Sequence, residues 1–229
     1  LHDVVLSLFM GPNFFTQLLT VLWVVGITNS FNFLDNMDGL ASGVAAICAF
    51  IFAINSYRQG DPQTLFLSLV LGGSLIAFLR FNFDPAVIFL GDAGSGFIGF
   101  YLAALSVAAN YLETSQLQQL PIITPLLVFS VPLFDTFSVM TIRILEGRSI
   151  WDADNRHFSH RLVELGLSRR AAVLLIYLLT FTVGSLAILL GRVQLNDALL
   201  LLVHAVAIFT IIVILEYASL SGIRTNSGQ

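Results

Sequence analysis

Residues 29–43 read NSFNFLDNMDGLASG and form the densest polar cluster in a chain that is otherwise mostly apolar. Two carboxylates, Asp35 and Asp38, stand there with three amides, Asn29, Asn32 and Asn36, and apolar runs flank them on both sides. Ionisable groups at the edge of a hydrocarbon layer are costly, so by default they mark a functional site. The alternative is a polar loop in which Asp38 only caps the next helix. Capping needs one such side chain, so five of them favour a site.

The composition of the 229 residues is that of an integral membrane protein. Hydrophobic residues make up 57% of the chain and charged residues only 10%, whereas a typical soluble domain has about 25% charged residues. The formal net charge is -4, and we expect no nucleic-acid partner. The chain begins without Met and without a secretory signal pattern, so we expect it to lack an N-terminal part.

Seven apolar segments approach the roughly 20 residues that span a ~30 Å hydrocarbon core. We therefore predict an all-α, polytopic membrane protein in which the whole chain, 1–229, is a single multi-pass domain with a flexible tail at 219–229. Helix A can extend through residue 31. The predicted transmembrane helices A to G are 14–28, 39–57, 63–80, 94–112, 121–145, 171–190 and 197–217.

The crossing count places three polar loops on one side of the membrane, since each helix reverses the side of the next loop. These loops follow helices A, C and E and carry the acidic cluster, the polar loop 81–92, and the polar segment 146–170. Eight of the ten Arg residues fall on that side, and Arg58 and Arg192 fall on the other. The positive-inside rule therefore predicts that the loops face the cytoplasm, at the cell (inner or plasma) membrane.

The stretch FLGDAGSGFIGF at 89–100 combines small residues with one carboxylate, Asp92. Its glycines allow a close approach of ligand to backbone, and the N–H groups at the start of helix D favour an anion. Asp92 would repel a bare phosphate unless a hard divalent cation such as Mg²⁺ lay between them. The alternative is a helix-packing patch formed by Gly94, Ser95 and Gly99.

The segment GRSIWDADNRHFSHRL at 147–162 supplies the opposite charge. Its arginines, Arg156 and Arg161 among them, and its histidines, His157 and His160, can donate to phosphate oxygens. No Cys is nearby, so zinc ligation by the histidines is disfavoured. A basic loop that meets only lipid head groups is the stronger alternative.

Asp135 stands well inside predicted helix E, where a carboxyl group needs a partner. Arg143 lies eight residues further, close to the same helix face. A pair with Arg143, or with a polar group of another helix, would explain Asp135 structurally.

In this order, the motifs resemble the polyprenyl-phosphate N-acetylhexosamine-1-phosphate transferases of glycosyltransferase family 4. The resemblance covers nearly the whole chain and is closer to the branch that transfers N-acetylglucosamine 1-phosphate than to the phospho-MurNAc-pentapeptide translocases. The latter carry a His triplet, and a Glu at the position of Asp135. The matching patterns are Asn29-x-x-Asn32-x-x-Asp35-x-x-Asp38-Gly39-Leu40, Gly91-Asp92-x-Gly94-Ser95, Pro132-x-x-Asp135 with Arg143, and Gly147-x-Ser149 with Asp154-x-x-His157-x-x-His160-Arg161-Leu162.

The resemblance implies that a polyprenyl phosphate attacks the β-phosphorus of a UDP-sugar and releases UMP, as the first membrane step of cell-surface polysaccharide synthesis. It implies that Asp92 binds Mg²⁺, or Mn²⁺ in its place, and that Asn82 and Phe89 contact uridine. The catalytic set that it implies is Asp35, Asp38, Asp92, His157 and His160. The substrate-binding set is Asn29, Asn32, Asn82, Phe89, Arg143, Arg156 and Arg161.

Three departures from the family pattern stand out. No Asp-Asp pair occurs, although the family carries one on an earlier cytoplasmic loop, so we expect this segment alone to be inactive. Ser159 stands where many relatives have the second His of a His-x-His-His run, and Asn36 stands where many have Gly.

Two other functions compete with this interpretation. One is a phospho-MurNAc-pentapeptide translocase of peptidoglycan synthesis. The other, from a different class, is an ion-coupled transporter whose path is lined by acidic side chains; it is disfavoured because the polar groups cluster on one side. The sequence leaves the sugar epimer, the lipid length and the oligomeric state open, a homodimer included.

Overall fold

The computed structural model describes residues 14–109, 123–149, 156–190, 193 and 195–226. Residues 110–112 of predicted helix D, residues 121–122 of predicted helix E and the motif residue Asp154 lie outside these ranges. Within them the chain forms helices and no strand. The helices are α1 (Phe14–Leu34), α2 (Leu40–Gln59), α3 (Pro62–Asn82), α4 (Gly91–Ala108), α5 (Ile123–Val128), α6 (Ser130–Leu145), α7 (Phe158–Glu164), α8 (Arg169–Leu190) and α9 (Leu195–Asn226).

Five of these helices, α1, α2, α3, α8 and α9, are long and apolar enough to cross a membrane. The predicted class, an all-α multi-pass membrane protein, is confirmed. The predicted number of seven spans is not reached by the described residues, because helices D and E differ from their expected form. Helix α9 continues through Asn226, into the predicted tail, and the single-domain assignment stays a prediction.

The polar motifs lie partly inside helices rather than in loops. Helix α1 continues to Leu34, six residues beyond the predicted end of helix A, because Phe31 and Leu34 are buried in the core and extend its apolar face. Asn29 and Asn32 are therefore helical. Helix α4 begins at Gly91 rather than at residue 94, which places Asp92 in its first turn.

The prediction of helix E as one continuous helix is wrong: it divides at Phe129 into the six-residue α5 and the sixteen-residue α6. Pro132 has no N–H, so the carbonyl of Val128 cannot receive its usual hydrogen bond from four residues ahead. The thiol of Cys48 on α2 donates to that carbonyl instead, at 3.3 Å. The break is thus stabilised by a contact from another helix.

The core lies around α2, the most buried of the five long helices. Phe129, at the α5–α6 break, packs its ring centroid 5.5 Å from Phe52 of α2 and 6.0 Å from both Phe31 and Trp23 of α1. Helices α1 and α4 approach closely at Gly99, where an added Cβ would lie 2.8 Å from the Cα of Thr28. Gly99 therefore has the packing role that small residues have in membrane helices.

Three connecting segments meet at one end of the bundle, as the crossing count predicts. The Asp38 carboxylate accepts the backbone N–H of Ala86 at 2.9 Å, which joins the α1–α2 turn to the α3–α4 loop. Arg170, at the start of α8, pairs with Asp84 of the same loop at 2.7 Å. The polar motifs of the sequence are therefore brought together at this end.

Candidate active site

The acidic turn, residues 35–39, reverses the chain between α1 and α2. Gly39 has φ +76°, and an added Cβ would lie 3.1 Å from the Phe83 side chain, so the turn requires glycine. The Tyr177 hydroxyl donates to the Gly39 carbonyl. Gly39, not Asp38, is the N-cap residue of α2, and no side chain caps that helix. The interpretation of Asp38 as a mere cap is therefore wrong.

Asn32 connects the end of α1 to the first turn of α4. Its Nδ2 donates to Asp92 Oδ1 at 3.3 Å and to Ser95 Oγ at 3.0 Å. The Ser95 hydroxyl in turn donates to the Gly91 carbonyl at 3.1 Å. Asp92 itself is exposed, so its carboxylate is held by Asn32 and remains open to a ligand.

Three carboxylates influence one another in this region. Partial burial of Asp35, together with the negative charges of Asp92 and Asp38, raises the pKa of Asp35 to about 6, although a hydrogen bond from the Gly91 backbone opposes the rise. Like charges this close favour either a proton or a cation. Asp35 therefore binds a proton more readily than an isolated aspartate does.

Mg²⁺ is the cation that these donors fit. No group of three or more His, Cys, Asp or Glu side chains is arranged to hold a metal ion among the residues that the structure describes. Mg²⁺ binds through only one or two carboxylates and completes its shell with waters and substrate phosphates. Asp92 is exposed, and its negative charge contributes to the raised pKa of Asp35. These two carboxylates meet that requirement.

The α3–α4 loop exposes the aromatic ring of Phe89 and is held in place by hydrogen bonds of Asn82. Asn82 is buried; its Oδ1 accepts from Ser42 Oγ at 2.6 Å and its Nδ2 donates to the Ile88 carbonyl at 2.9 Å. Phe89 is 72% exposed. The structure thus gives Asn82 a role in shaping the loop and leaves the Phe89 ring free to stack, and uridine contact by either stays a prediction.

Asp135 is paired with His157, so of the two partners that the sequence left open the structure selects the one from another segment rather than Arg143. Asp135 is 1% exposed, and its Oδ2 lies 2.8 Å from His157 Nδ1. Its Oδ1 accepts the Phe158 backbone N–H at 2.6 Å. Such a pair fixes which imidazole nitrogen carries the proton. Asp135 was absent from the predicted site; a carboxylate inside an apolar helix was the signal.

The histidine segment is also tied to the acidic turn. Ser159 Oγ donates to Asn36 Oδ1 at 2.6 Å, and Asn36 Nδ2 donates to the Phe33 carbonyl at 2.7 Å. Burial and the neighbouring charges of His157 and Arg169 lower the pKa of His160. His160 is therefore a neutral donor or acceptor near pH 7 rather than a cation.

Several predicted substrate ligands are engaged elsewhere. The Arg161 guanidinium bonds Glu216 at 3.1 Å, the Arg156 carbonyl at 2.7 Å and Ser138 Oγ at 3.1 Å, and the Arg156 side chain pairs with Glu146. Asn29 donates to the Val25 carbonyl of its own helix. Arg143 is buried in α6. The structure joins none of these four side chains to the carboxylate cluster through a described contact, so their substrate roles stay predictions.

Comparisons with known proteins match the part of the chain that contains this cluster. Residues 3–110 match the family model described as glycosyl transferase family 4. The chain is 42% identical over 172 residues to a probable undecaprenyl-phosphate N-acetylglucosaminyl 1-phosphate transferase of Bacillus subtilis, a match that covers 75% of this chain and 47% of the relative.

Two further relatives illustrate the range of names. A decaprenyl-phosphate N-acetylglucosaminephosphotransferase of Mycobacterium leprae is 40% identical over 70% of this chain and 44% of its own length. A phospho-N-acetylmuramoyl-pentapeptide-transferase of Streptococcus equi subsp. zooepidemicus is 39% identical over 66% of this chain and 44% of its own length. The chain spans about half the length of the curated relatives that it matches.

Proposed function

We propose that this protein transfers a sugar 1-phosphate, foremost N-acetylglucosamine 1-phosphate, from a UDP-sugar to a polyprenyl phosphate. The proposal rests on the match of residues 3–110 to the family model described as glycosyl transferase family 4. An oxygen of the lipid phosphate attacks the β-phosphorus. The bond from that phosphorus to the bridging oxygen breaks, and UMP leaves with the electron pair. The observation that supports the proposal is the convergence of Asp35, Asp38 and Asp92 at one end of the bundle, within the matched residues.

The protein's contribution to such a reaction is positioning and charge neutralisation. Asp92, with Asp35 beside it, would hold Mg²⁺ or Mn²⁺, which when bound supplies positive charge against the diphosphate. Asn32 keeps the Asp92 carboxylate in place from α1. Asp38 fixes the α3–α4 loop through Ala86, and that loop presents Phe89 for stacking on uracil.

The histidine segment, which carries His157 and His160, supplies the phosphate-binding groups of the proposed site. The Asp135 carboxylate orients His157 through Nδ1, which leaves Nε2 as the nitrogen that can meet a phosphate oxygen. His160 can donate a hydrogen bond to the same phosphate as a neutral imidazole, because its pKa is lowered. His160 therefore binds phosphate mainly through a directed hydrogen bond rather than through net charge.

The location of the site follows from the substrates. A soluble nucleotide-sugar and a membrane-embedded lipid meet where helices end at the bilayer surface. We place this end of the bundle on the cytoplasmic side of the cell membrane, because the Arg residues concentrate there.

The test is UMP release from UDP-N-acetylglucosamine and polyprenyl phosphate by the intact protein in detergent. Asp92→Asn should lower kcat/KM by at least about 100-fold without lowering the Tm, and EDTA should abolish turnover. Asp61→Asn is the matched control, because Asp61 caps α3 at the opposite end of the bundle and asparagine caps as well.

Two results would contradict the proposal: turnover that EDTA leaves undiminished, or Asp92→Asn with full activity. UMP release with UDP-MurNAc-pentapeptide but not with UDP-N-acetylglucosamine would instead support the peptidoglycan reaction, the alternative suggested by the name of the streptococcal relative.

A further inference from the structure

Asn36 and Ser159 contact each other although 123 positions separate them in the chain. The 2.6 Å bond between their side chains links the acidic turn to the segment that carries His157 and His160. Ser159 is 1% exposed. The contact is partly buried and joins two segments that are far apart in the chain.

The backbone gives no reason for glycine at position 36. All described non-glycine residues, Asn36 included, have negative φ, a conformation that side chains adopt without strain. Position 36 therefore accommodates a side chain without backbone strain, and its size is limited by the space beside Ser159. An imidazole at position 159 would need much more space than the hydroxymethyl group of Ser159, which is 1% exposed.

The small Ser159 leaves room for the Asn36 amide, and each polar group of the pair is satisfied: Asn36 Oδ1 accepts from Ser159, and Asn36 Nδ2 donates to the Phe33 carbonyl at the end of α1. A histidine beside Asn36 would overfill a buried site. A glycine beside Ser159 would leave its hydroxyl without this acceptor.

We propose that Asn36 and Ser159 form a coupled positioning pair that sets the distance between the carboxylates of the acidic turn and the histidines of the phosphate-binding side. The catalytic part of this inference rests on the proposed function. The coupling itself does not, because it concerns the folded protein alone.

Thermal unfolding of the intact protein in detergent tests the coupling without any substrate. Ser159→Ala and Asn36→Ala should each lower the Tm by about 2–4 °C, and the double variant should lower it no more than the worse single variant. Ser74→Ala is the matched control, because the exposed Ser74 hydroxyl bonds only the Val70 carbonyl of its own helix.

The size argument has its own test in the same assay. Ser159→His alone should lower the Tm by at least about 4 °C, and adding Asn36→Gly should recover half of that loss or more. Additive losses in the alanine series, or a further loss on adding Asn36→Gly, would overturn the coupling.

Kinetics separate positioning from stability. Ser159→Ala should lower kcat about tenfold at nearly unchanged KM, and Ser159→Thr, which keeps the hydroxyl, should stay within about threefold of the wild type. Asn36→Ala should match Ser159→Ala. A loss in Ser159→Ala that Asn36→Ala does not share would mean that Ser159 acts on the substrate by itself, which overturns the pair. A protein without transferase activity would refute the proposed function, and the Tm cycle would still decide the coupling.

Discussion

Asp35 provides a prediction that links pH, stability and metal binding. Burial and two neighbouring carboxylates raise its pKa from 3.8 to about 6. A carboxyl group whose pKa is higher in the folded than in the unfolded protein binds its proton more tightly when folded. It therefore lowers stability as pH rises from about 4 to about 6, and the loss is complete above that range.

The magnitude follows from the size of the rise. Two pKa units correspond to about 3 kcal/mol, and Asp35 is only half-buried, so screening by solvent reduces this to on the order of 1 kcal/mol. For a chain of this size that is about 2–4 °C in Tm. Without metal, Asp35→Asn should be more stable than the wild type by this amount at pH 8, and the gain should shrink toward zero by pH 4.

The affinity for Mg²⁺ should depend on pH through the same carboxyl group. If Mg²⁺ relieves the repulsion, its apparent Kd should rise up to about tenfold for each pH unit below 6, because protonation of Asp35 competes with the ion. Calorimetric titration of Mg²⁺ at several pH values measures this, with Asp61→Asn as the control. Equal Tm values for Asp35→Asn and wild type at pH 8, together with an affinity for Mg²⁺ that does not change between pH 5 and 7, would refute the electrostatic reasoning.

Two further predictions concern the supports of the site. Asp135→Asn should lower kcat about 10- to 100-fold, because an amide cannot accept from both His157 Nδ1 and the Phe158 N–H; unchanged kcat would show that the pair is not needed for turnover. Gly43→Ala should lower the Tm by several degrees and disturb the acidic turn, because the new Cβ would lie 2.0 Å from Tyr177 Oη. Gly73→Ala, whose Cβ would meet nothing within 4 Å, is its control, and equal Tm values for the two variants would contradict the packing argument.

The sequence predicts the features that depend on local composition or on whether the number of membrane crossings is odd or even. Apolar length and scarcity of charge identify membrane helices because the bilayer imposes them directly. The meeting of the three loops follows from counting crossings, which tolerates errors of several residues at each helix end. This is why the grouping holds although α1 ends six residues later than predicted and α4 starts three residues earlier.

Features that depend on a distant partner could not be predicted. Pro132 indicates a weak point in helix E, but the thiol that compensates for it comes from Cys48, 80 residues away from Val128 in the chain. Asp135 needed a partner on physical grounds, and Arg143 was the nearest candidate along the helix. The actual partner, His157, lies on a segment whose position depends on the tertiary fold.

The contacts also explain why the stretch that opens the site is rich in asparagine. Asn32 must donate to the Asp92 carboxylate, which an aspartate could not do without repulsion. Asn36 must donate to Phe33 and accept from Ser159 at the same time, which requires an amide. Asp38, which accepts a single backbone N–H from Ala86, tolerates a charge. The end of α1 and the turn that follows thus contact three separate segments of the chain: Asn32 is the neutral donor to one carboxylate, Asn36 bonds the histidine segment, and Asp38 bonds the α3–α4 loop.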